Sequence, residues 1–76
     1  MEQISEKFSF KGYGVHIYHV VTDGQKWHYD IVITSPIDRR DVDEYRECRE
    51  CSASNAQDVI EIAKQFAISF ISKRTD

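Results

Sequence analysis

The pattern of apolar and polar residues is most regular between Asn55 and Ser72, near the C-terminus. Apolar side chains recur there every three or four residues, a spacing typical of a helix that buries one stripe of its surface. The stripe consists of Ala56, Val59, Ile60, Ala63, Phe66, Ala67, Phe70 and Ile71. Because small alanines run down its middle, the pattern predicts a helix that lies close to a flat surface, and a sheet is such a surface.

Both ends of this helix are signalled by the neighbouring residues. Ser54 followed by Gln57 fits a capping box, in which side chains satisfy free backbone N–H groups at the start of a helix. Lys73 and Arg74 stand where the helix would end, and cations there interact favourably with the helix dipole. The sequence therefore predicts one C-terminal helix with defined limits.

Apolar residues alternate with mostly polar ones from Phe8 to Val21, as in a β-strand with one buried face. The alternation slips by one residue between Phe10 and Tyr13. A β-bulge near Gly12 would restore it, because one extra residue returns the following side chains to the same face. The sequence thus predicts one long strand over 8–21 that contains a bulge.

A second alternating segment, Trp27–Thr34, follows after Thr22, Asp23 and Gly24. A three-residue loop with Gly24 in the left-handed conformation pairs apolar residues with each other on one face of the resulting hairpin. The opposite, polar face then carries two predicted cross-strand pairs, His16 with Asp30 and Tyr18 with His28.

The segment Glu44–Cys51 alternates acidic and basic residues, and it suits either a third strand or a short helix. The positions of Val42, Tyr45 and Cys48 drift around a helix, which favours a strand. A hairpin alone is marginal in water, and the helix stripe is wide enough to cover about three strands. The predicted architecture is therefore α+β, a three-stranded antiparallel sheet with one C-terminal helix packed on one face (β-β-β-α).

The length of 76 residues leaves room for one domain, over residues 1–76, with a frayed terminus at 1–7. Apolar residues make up 41% and charged residues 30% of the chain, as in ordinary globular proteins. The net charge of −3 gives no general attraction to nucleic acid or anionic membranes. No segment has the apolar run of a signal peptide or a membrane span. These features predict a cytoplasmic protein without a membrane partner.

The polar face of the predicted hairpin is the best candidate for a functional site. A histidine opposite a carboxylate can act as an oriented base, so an enzymatic or metal-binding site at His16, His28 and Asp30 is one hypothesis. No nucleophile or glycine-rich loop accompanies these residues, and a surface that binds a partner is the better supported interpretation. The candidate binding residues are His16, Tyr18, His28, Asp30 and Val32.

Cys48 and Cys51 form a C-x-x-C motif. A structural zinc site needs four ligands, and residues three apart on a strand point to opposite faces. We therefore predict two reduced thiols, with no metal and no cofactor. His19 is expected on the core face, opposite Trp27.

The order of strands and helix, with Gly12-Tyr13-Gly14 at the hairpin and Trp27 in the next strand, resembles the arm-type DNA-binding domains of phage integrases and plant ethylene-response factors. The resemblance implies DNA reading by arginines on the exposed face of the sheet. The matching positions here hold the five candidate binding residues instead, so no family membership is inferred. The basic cluster of the chain lies elsewhere and is interleaved with acidic residues; it consists of Arg39, Arg40, Arg46 and Arg49.

The preferred functional hypothesis is a small intracellular interaction module without catalytic activity. Its exposed sheet face, or an open sheet edge, would contact a protein partner or a second copy of the chain. The alternative is nucleic-acid binding through the exposed face and the four arginines, which the acidic net charge of −3 disfavours. The enzymatic or metal-binding site has the least support.

Overall fold

The computed structural model describes residues 5–36 and 44–75, which form one antiparallel sheet and one helix packed on one of its faces. The four strands lie side by side in the order in which they occur along the chain. The predicted α+β class and C-terminal helix are confirmed, whereas the sheet has four strands and not three. The elements are β1 (Glu6–Phe10), β2 (Tyr13–Thr22), β3 (Trp27–Thr34), β4 (Glu44–Cys51) and α1 (Ala56–Thr75).

The additional strand arises because the predicted strand over 8–21 is a hairpin. β1 ends at Phe10 and β2 begins at Tyr13. The two residues between them, Lys11 and Gly12, have positive φ angles of 53° and 86°. Such a pair is typical of the type I′ turn, whose twist matches that of the paired strands. The slip in alternation therefore marks a two-residue turn and not a bulge.

The β1–β2 hairpin confirms one prediction about the N-terminal part of the chain and corrects another. The prediction that Phe8 and Phe10 share a face with Tyr13 and Val15 is confirmed by their pairing. Two residues that we expected to fray belong to β1 instead. The observed pairs are Phe10 with Tyr13, Phe8 with Val15, Lys7 with His16 and Glu6 with Ile17.

β2 and β3 pair in a register that differs from the predicted one by two residues. A shift of two residues leaves each side chain on its predicted face but changes the residue opposite to it. The predicted pairs of His16 with Asp30 and of Tyr18 with His28 are therefore wrong. The observed pairs on that face are His16 with Val32, Tyr18 with Asp30 and Val21 with His28.

The register shifts because the turn is longer than predicted and binds its own side chains. Thr22 Oγ1 accepts a hydrogen bond from the Gly24 amide and donates one to the Lys26 carbonyl, both at 3.1 Å. Asp23 Oδ1 accepts from the amides of Gln25 and Lys26 at 3.0 and 2.9 Å. These bonds hold 23–26 outside both strands, and an irregularity between Tyr18 and Val21 absorbs the remaining offset. Gly24 has the predicted positive φ, 97°.

β4 spans Glu44–Cys51, as predicted for a strand, and it pairs with β3 along its whole length. It forms one edge of the sheet, and β1 forms the other. Cys48 lies opposite Asp30, and Cys51 lies opposite Trp27. The two thiols are free and point to opposite faces, because their spacing along the strand is odd.

α1 begins where the stripe predicted it and runs to Thr75. Its N-cap is Asn55 and not Ser54, because the Asp58 amide donates to Asn55 Oδ1 at 3.0 Å. Asp58 in turn accepts a hydrogen bond from the Ser54 amide at 3.3 Å. Asn and Ser are both favoured at this position, so the sequence alone does not separate two adjacent candidates.

The core fills the space between α1 and the sheet. Phe66 and Phe70, which we placed on the buried stripe, are only partly buried because α1 packs chiefly over β1, β2 and β3. They lie at the flank near β4, where the Tyr45 ring is 4.5 Å from the Phe70 ring and the Arg49 guanidinium is 4.1 Å from the Phe66 ring. The buried residues are Tyr13, Val15, Ile17, Tyr29, Ile31, Ile33, Val59, Ile60, Ala63, Ala67 and Ile71.

Candidate binding surface on the open sheet face

The face of the sheet opposite α1, here called the open face, is formed by the alternate residues that point away from the core. None of its side chains is fully buried. The five candidate binding residues from the sequence all lie on it. The face comprises Lys7, Ser9, Gly14, His16, Tyr18, Val21, His28, Asp30, Val32, Thr34, Glu44, Arg46, Cys48 and Glu50.

A shallow depression of about 470 Å³ extends across this face and is lined by residues of all four strands. Its floor is at Gly14, which has no side chain, and a Cβ atom built there would meet nothing within 4 Å. Its walls include His16, Tyr18 and Val32, while Lys7 lines it from β1. The glycine at this strand position therefore leaves open space within the depression.

His16 and Tyr18 form a ring stack along β2. Their ring centroids are 4.8 Å apart and their planes are inclined by 30°. Both residues point to the open face because they are two positions apart on a strand. The stack presents one continuous, half-buried aromatic wall beside Val32, which is the kind of surface that contributes contact area in protein interfaces.

His19 lies on the open side and not in the core, so its predicted position is wrong. It has a φ of 55°, in the left-handed region, at the irregularity of β2. Its Nδ1 is 3.5 Å from Asp30 Oδ2, and its side chain is 56% exposed. Its neighbour Val20 packs against the core, although the alternation from Phe8 to Val21 would place it on the exposed face. Because His19 adopts the left-handed conformation, His19 and Val20 each lie on the face opposite to the one that regular alternation would give them.

His28 connects the β2–β3 turn to β4 on the open face. Its Nε2 is 3.3 Å from Asp23 Oδ2, and its Nδ1 is 3.8 Å from Glu50 Oε2. Lys26 Nζ is also 3.4 Å from Glu50 Oε1. These contacts place the two histidines of the predicted site in different surroundings, His16 in the depression and His28 at the turn.

The carboxyl group of Asp23, in the β2–β3 turn, should titrate at low pH. Hydrogen bonds from the amides of Lys26 and Gln25, and then from His28, lower its pKa from 3.8 to about 2. A carboxyl group whose pKa is lowered by folding stabilises the folded state above pH 3.8, and this contribution is lost as the pH falls through about 2. NMR titration of the carboxyl carbons should find that midpoint. His28→Phe should leave the midpoint of Asp23 below 3.8, because the amide hydrogen bonds lower its pKa more than His28 does. A wild-type midpoint at 3.8 would show that the amide bonds do not form.

A metal-binding or enzymatic site at His16, His28 and Asp30 gains no support from the geometry. Within 5–36 and 44–75, no three His, Cys, Asp or Glu side chains come together in an arrangement that could hold a metal ion. Asp30 instead accepts a hydrogen bond from the Cys48 thiol, which raises the pKa of that thiol and keeps it protonated at neutral pH. Burial raises the pKa of Cys51 as well.

The arginines of the nucleic-acid alternative are divided between the two sides of the sheet. Arg46 lies on the open face next to Glu44, with Nε 2.5 Å from its carboxylate. Arg49 lies on the helix side, bonded to Glu47 and stacked over Phe66. Arg39 and Arg40 fall outside the described residues.

Gly14 is a residue of the open face whose role was missed at the level of sequence. A glycine inside a strand pattern often marks a place where another group approaches closely, and this signal was available. Its effect depends on the neighbours that wall the depression, and those neighbours are set by the register of β1, β2 and β3.

Comparisons of the chain with models of known protein families, with curated proteins and with solved structures found no match. The described part of the chain contains no helix with the length and hydropathy needed to span a membrane.

Proposed function

We propose that this protein is a small cytoplasmic interaction module that binds a protein partner through its open face and catalyses no reaction. The observation that carries the proposal is the depression at Gly14, walled by the stacked rings of His16 and Tyr18 and by Val32. An antiparallel sheet can leave one face to water, but solvation alone does not require an aromatic stack beside an open glycine position.

The chemistry of the depression indicates what the partner presents. Its wall is aromatic and aliphatic, so it favours an apolar or aromatic side chain that projects from the partner's surface. Lys7 and Arg46 line two sides of it, with Glu44 next to Arg46. We therefore propose a partner segment with one projecting apolar side chain and acidic residues beside it.

Gly14→Val tests this proposal, because it fills the floor of the depression at a position with ordinary backbone geometry and free space. The matched control is Gln65→Ala, an exposed position on α1 in the other layer of the structure. Wild type and both variants would be immobilised, and the proteins that each retains from an extract of the source cells would be quantified. The leading protein would then be purified and titrated against all three.

We expect one protein to bind the wild type and Gln65→Ala equally and to lose at least about tenfold in affinity for Gly14→Val, or ~1.4 kcal/mol. Equal binding to all three would show that the depression is not the contact surface. Retention of no protein by the wild type would contradict the proposed function.

The arrangement of charges gives the nucleic-acid alternative less support. Arg46 is paired with Glu44 on the open face, and Asp30 and Glu50 lie on the same face. A protein that neutralises several phosphates binds strongly at low salt and weakens steeply as salt is added. We expect no binding in titrations with mixed DNA and RNA at low ionic strength, and salt-sensitive binding there would favour the alternative.

A further inference from the structure

The outer edge of β4 carries a charge pattern that is complementary to itself. Two residues on each side of Cys48 are charged, and each has its opposite charge at the mirrored position. Glu47 before Cys48 corresponds to Arg49 after it, and Arg46 corresponds to Glu50. In the part of the chain that the structure describes, no strand pairs with this edge, because β4 is the last strand of the sheet.

This mirror relation of opposite charges about Cys48 matters because two identical edge strands can pair through a two-fold axis. When the strands are antiparallel and the axis is perpendicular to the sheet, each residue lies opposite its mirror position about the residue on the axis. Opposite residues then point to the same face, as in any antiparallel pair. The residue on the axis fixes the whole register.

The possible registers of β4 with itself differ sharply in electrostatics. With Cys48 on the axis, Glu47 faces Arg49 of the second copy and Arg46 faces Glu50, and each contact occurs twice. Any of the four neighbouring registers places a charged residue on the axis, directly opposite its own like charge. Like charges directly opposite each other destabilise a strand pair, whereas opposite charges stabilise it. One register is therefore selected and the adjacent ones are disfavoured.

We propose that a second copy of this chain pairs with the β4 edge, antiparallel and centred on Cys48, to form a continuous eight-stranded sheet. The number of strands is twice the four observed in one chain. The two helices would lie on the same side of the sheet, and the two open faces would join on the other. The inference concerns the β4 edge; it shares Arg46 with the lining of the depression at Gly14 but does not depend on a partner that binds there.

Two of the four charges, Arg46 and Glu50, are available for such a contact because their ion pairs within the chain are exposed. Arg46 is 66% exposed beside Glu44, and Glu50 is 55% exposed beside Lys26. Glu47 is bonded to Arg49 two residues along the same strand. The exposed pairs of Arg46 and Glu50 contribute little to stability, so exchanging them for cross-strand pairs loses little.

The pattern also differs from the usual protection of edge strands. Charged residues on an edge normally discourage pairing with another strand, and β4 is charged enough to serve that purpose. Protection of an edge does not require opposite charges at mirrored positions. In β4, however, the residues one and two positions before Cys48 carry charges opposite to those one and two positions after it. The other edge, β1, lacks it: with Phe8 on the axis, Lys7 would face Ser9 and Glu6 would face Phe10.

The first test uses charge reversal. Wild-type protein should sediment as a dimer at high concentration and low salt and dissociate as salt is added, since the contact depends on partly exposed charges. Arg46→Glu should be monomeric because the introduced carboxylate would face Glu50 of the second copy. Glu50→Arg should be monomeric because the introduced guanidinium would face Arg46. Circular dichroism establishes that both single variants are folded.

The decisive measurement is made on a mixture of the two single variants. In a mixed dimer each altered residue can face an opposite charge, so the mixture should form a dimer that neither variant forms alone. The double variant Arg46→Glu with Glu50→Arg should also dimerise by itself. A monomeric wild type, single variants that still dimerise, or a mixture that stays monomeric would each overturn the proposal.

A second test reads the register from Cys48. Opposite residues in antiparallel strands have Cα atoms about 4.5 or 5.5 Å apart, and both distances lie within the range of about 4.4–6.8 Å that a disulfide spans. Diamide, which takes up the two thiol hydrogens, should link the wild type and Cys51→Ser into a covalent dimer but form no covalent link in Cys48→Ser. The reaction is best run above neutral pH, because the thiol of Cys48 has a raised pKa. Linkage that requires Cys51 instead would contradict the register.

The dimer contact and the partner-binding surface can be tested separately. Gly14 lies on β2, away from the β4 edge, so Gly14→Val should remain dimeric. Arg46 lines the depression, whereas Glu50 does not, so Glu50→Arg is the variant that separates the two contacts. A Glu50→Arg protein that no longer dimerises but still binds the partner would show that the open face binds independently of the dimer. Loss of dimerisation in Gly14→Val would contradict the assignment of the dimer contact to β4.

Discussion

Ile60→Ala is expected to leave the protein largely unfolded at moderately elevated temperature. Ile60 is 1% exposed and belongs to the core between α1 and the sheet. Replacing a buried isoleucine by alanine costs about 2–5 kcal/mol, because apolar contact is lost and a cavity remains. At about 0.05–0.15 kcal/mol per residue, a chain of 76 residues has a total stability of roughly 4–11 kcal/mol. One substitution can therefore remove much of the stability.

The matched control is Ile62→Ala, two residues further along the same helix. Ile62 is 38% exposed and lies outside the core, so the same atoms are removed from a position nearer the solvent. We expect a change in the free energy of unfolding of no more than about 0.5 kcal/mol. Thermal and urea unfolding, measured at one protein concentration, compare the two variants. Similar losses from both would contradict the buried face assigned to α1.

Gly12→Val is expected to destabilise the β1–β2 hairpin by about 1–3 kcal/mol, the usual cost of holding a residue in a disfavoured backbone conformation. Gly12 has a φ of 86°, and a β-branched residue is poorly accommodated there. A Cβ atom would also approach Pro36 Cγ to 3.3 Å. Urea unfolding monitored by Trp27 fluorescence provides the measurement.

Two other glycines separate the causes of this effect. Gly24 has a φ of 97° but open space around it, so Gly24→Val isolates the backbone strain. Gly14 has neither a positive φ nor a close neighbour, and Gly14→Val should be neutral or slightly stabilising, because valine favours strands. We expect the loss of stability to be largest for Gly12, smaller for Gly24 and absent for Gly14. An equal loss at Gly14 would contradict the strand geometry there.

The helix and the limits of two strands were predictable because each depends on a short stretch of chain. The period of the apolar residues identifies α1, and alternation identifies β3 with the limits that the structure has. For Glu44–Cys51 alternation leaves a strand and a short helix open, and the drift around a helix together with the marginal stability of a hairpin favours the strand that the structure has. The faces of the strands were also largely predictable, because alternation fixes which residues share a side. The buried helix residues all belong to the predicted stripe, and they are Val59, Ile60, Ala63, Ala67 and Ile71.

The sequence predicted which residues belong to the candidate site but not which of them lie next to each other. His16, Tyr18, His28, Asp30 and Val32 share a face, which the alternation determines. Their neighbours depend on the register, and the register depends on how Thr22 and Asp23 bond within the turn. The shift of the register by two residues separated His16 from Asp30 and brought Val32 beside it.

What the sequence alone determined is therefore local: periodicity, strand faces, the charge pattern of β4, and the position of the helix along the chain. The tertiary structure decided which element lies next to which. It made Lys11-Gly12 a turn, moved His19 to the open side, and placed β4 at an edge with α1 over the other three strands. The physical reason is that cross-strand partners and edges are set by pairings between distant residues, and single residues in the left-handed conformation change those pairings without altering the apolar pattern.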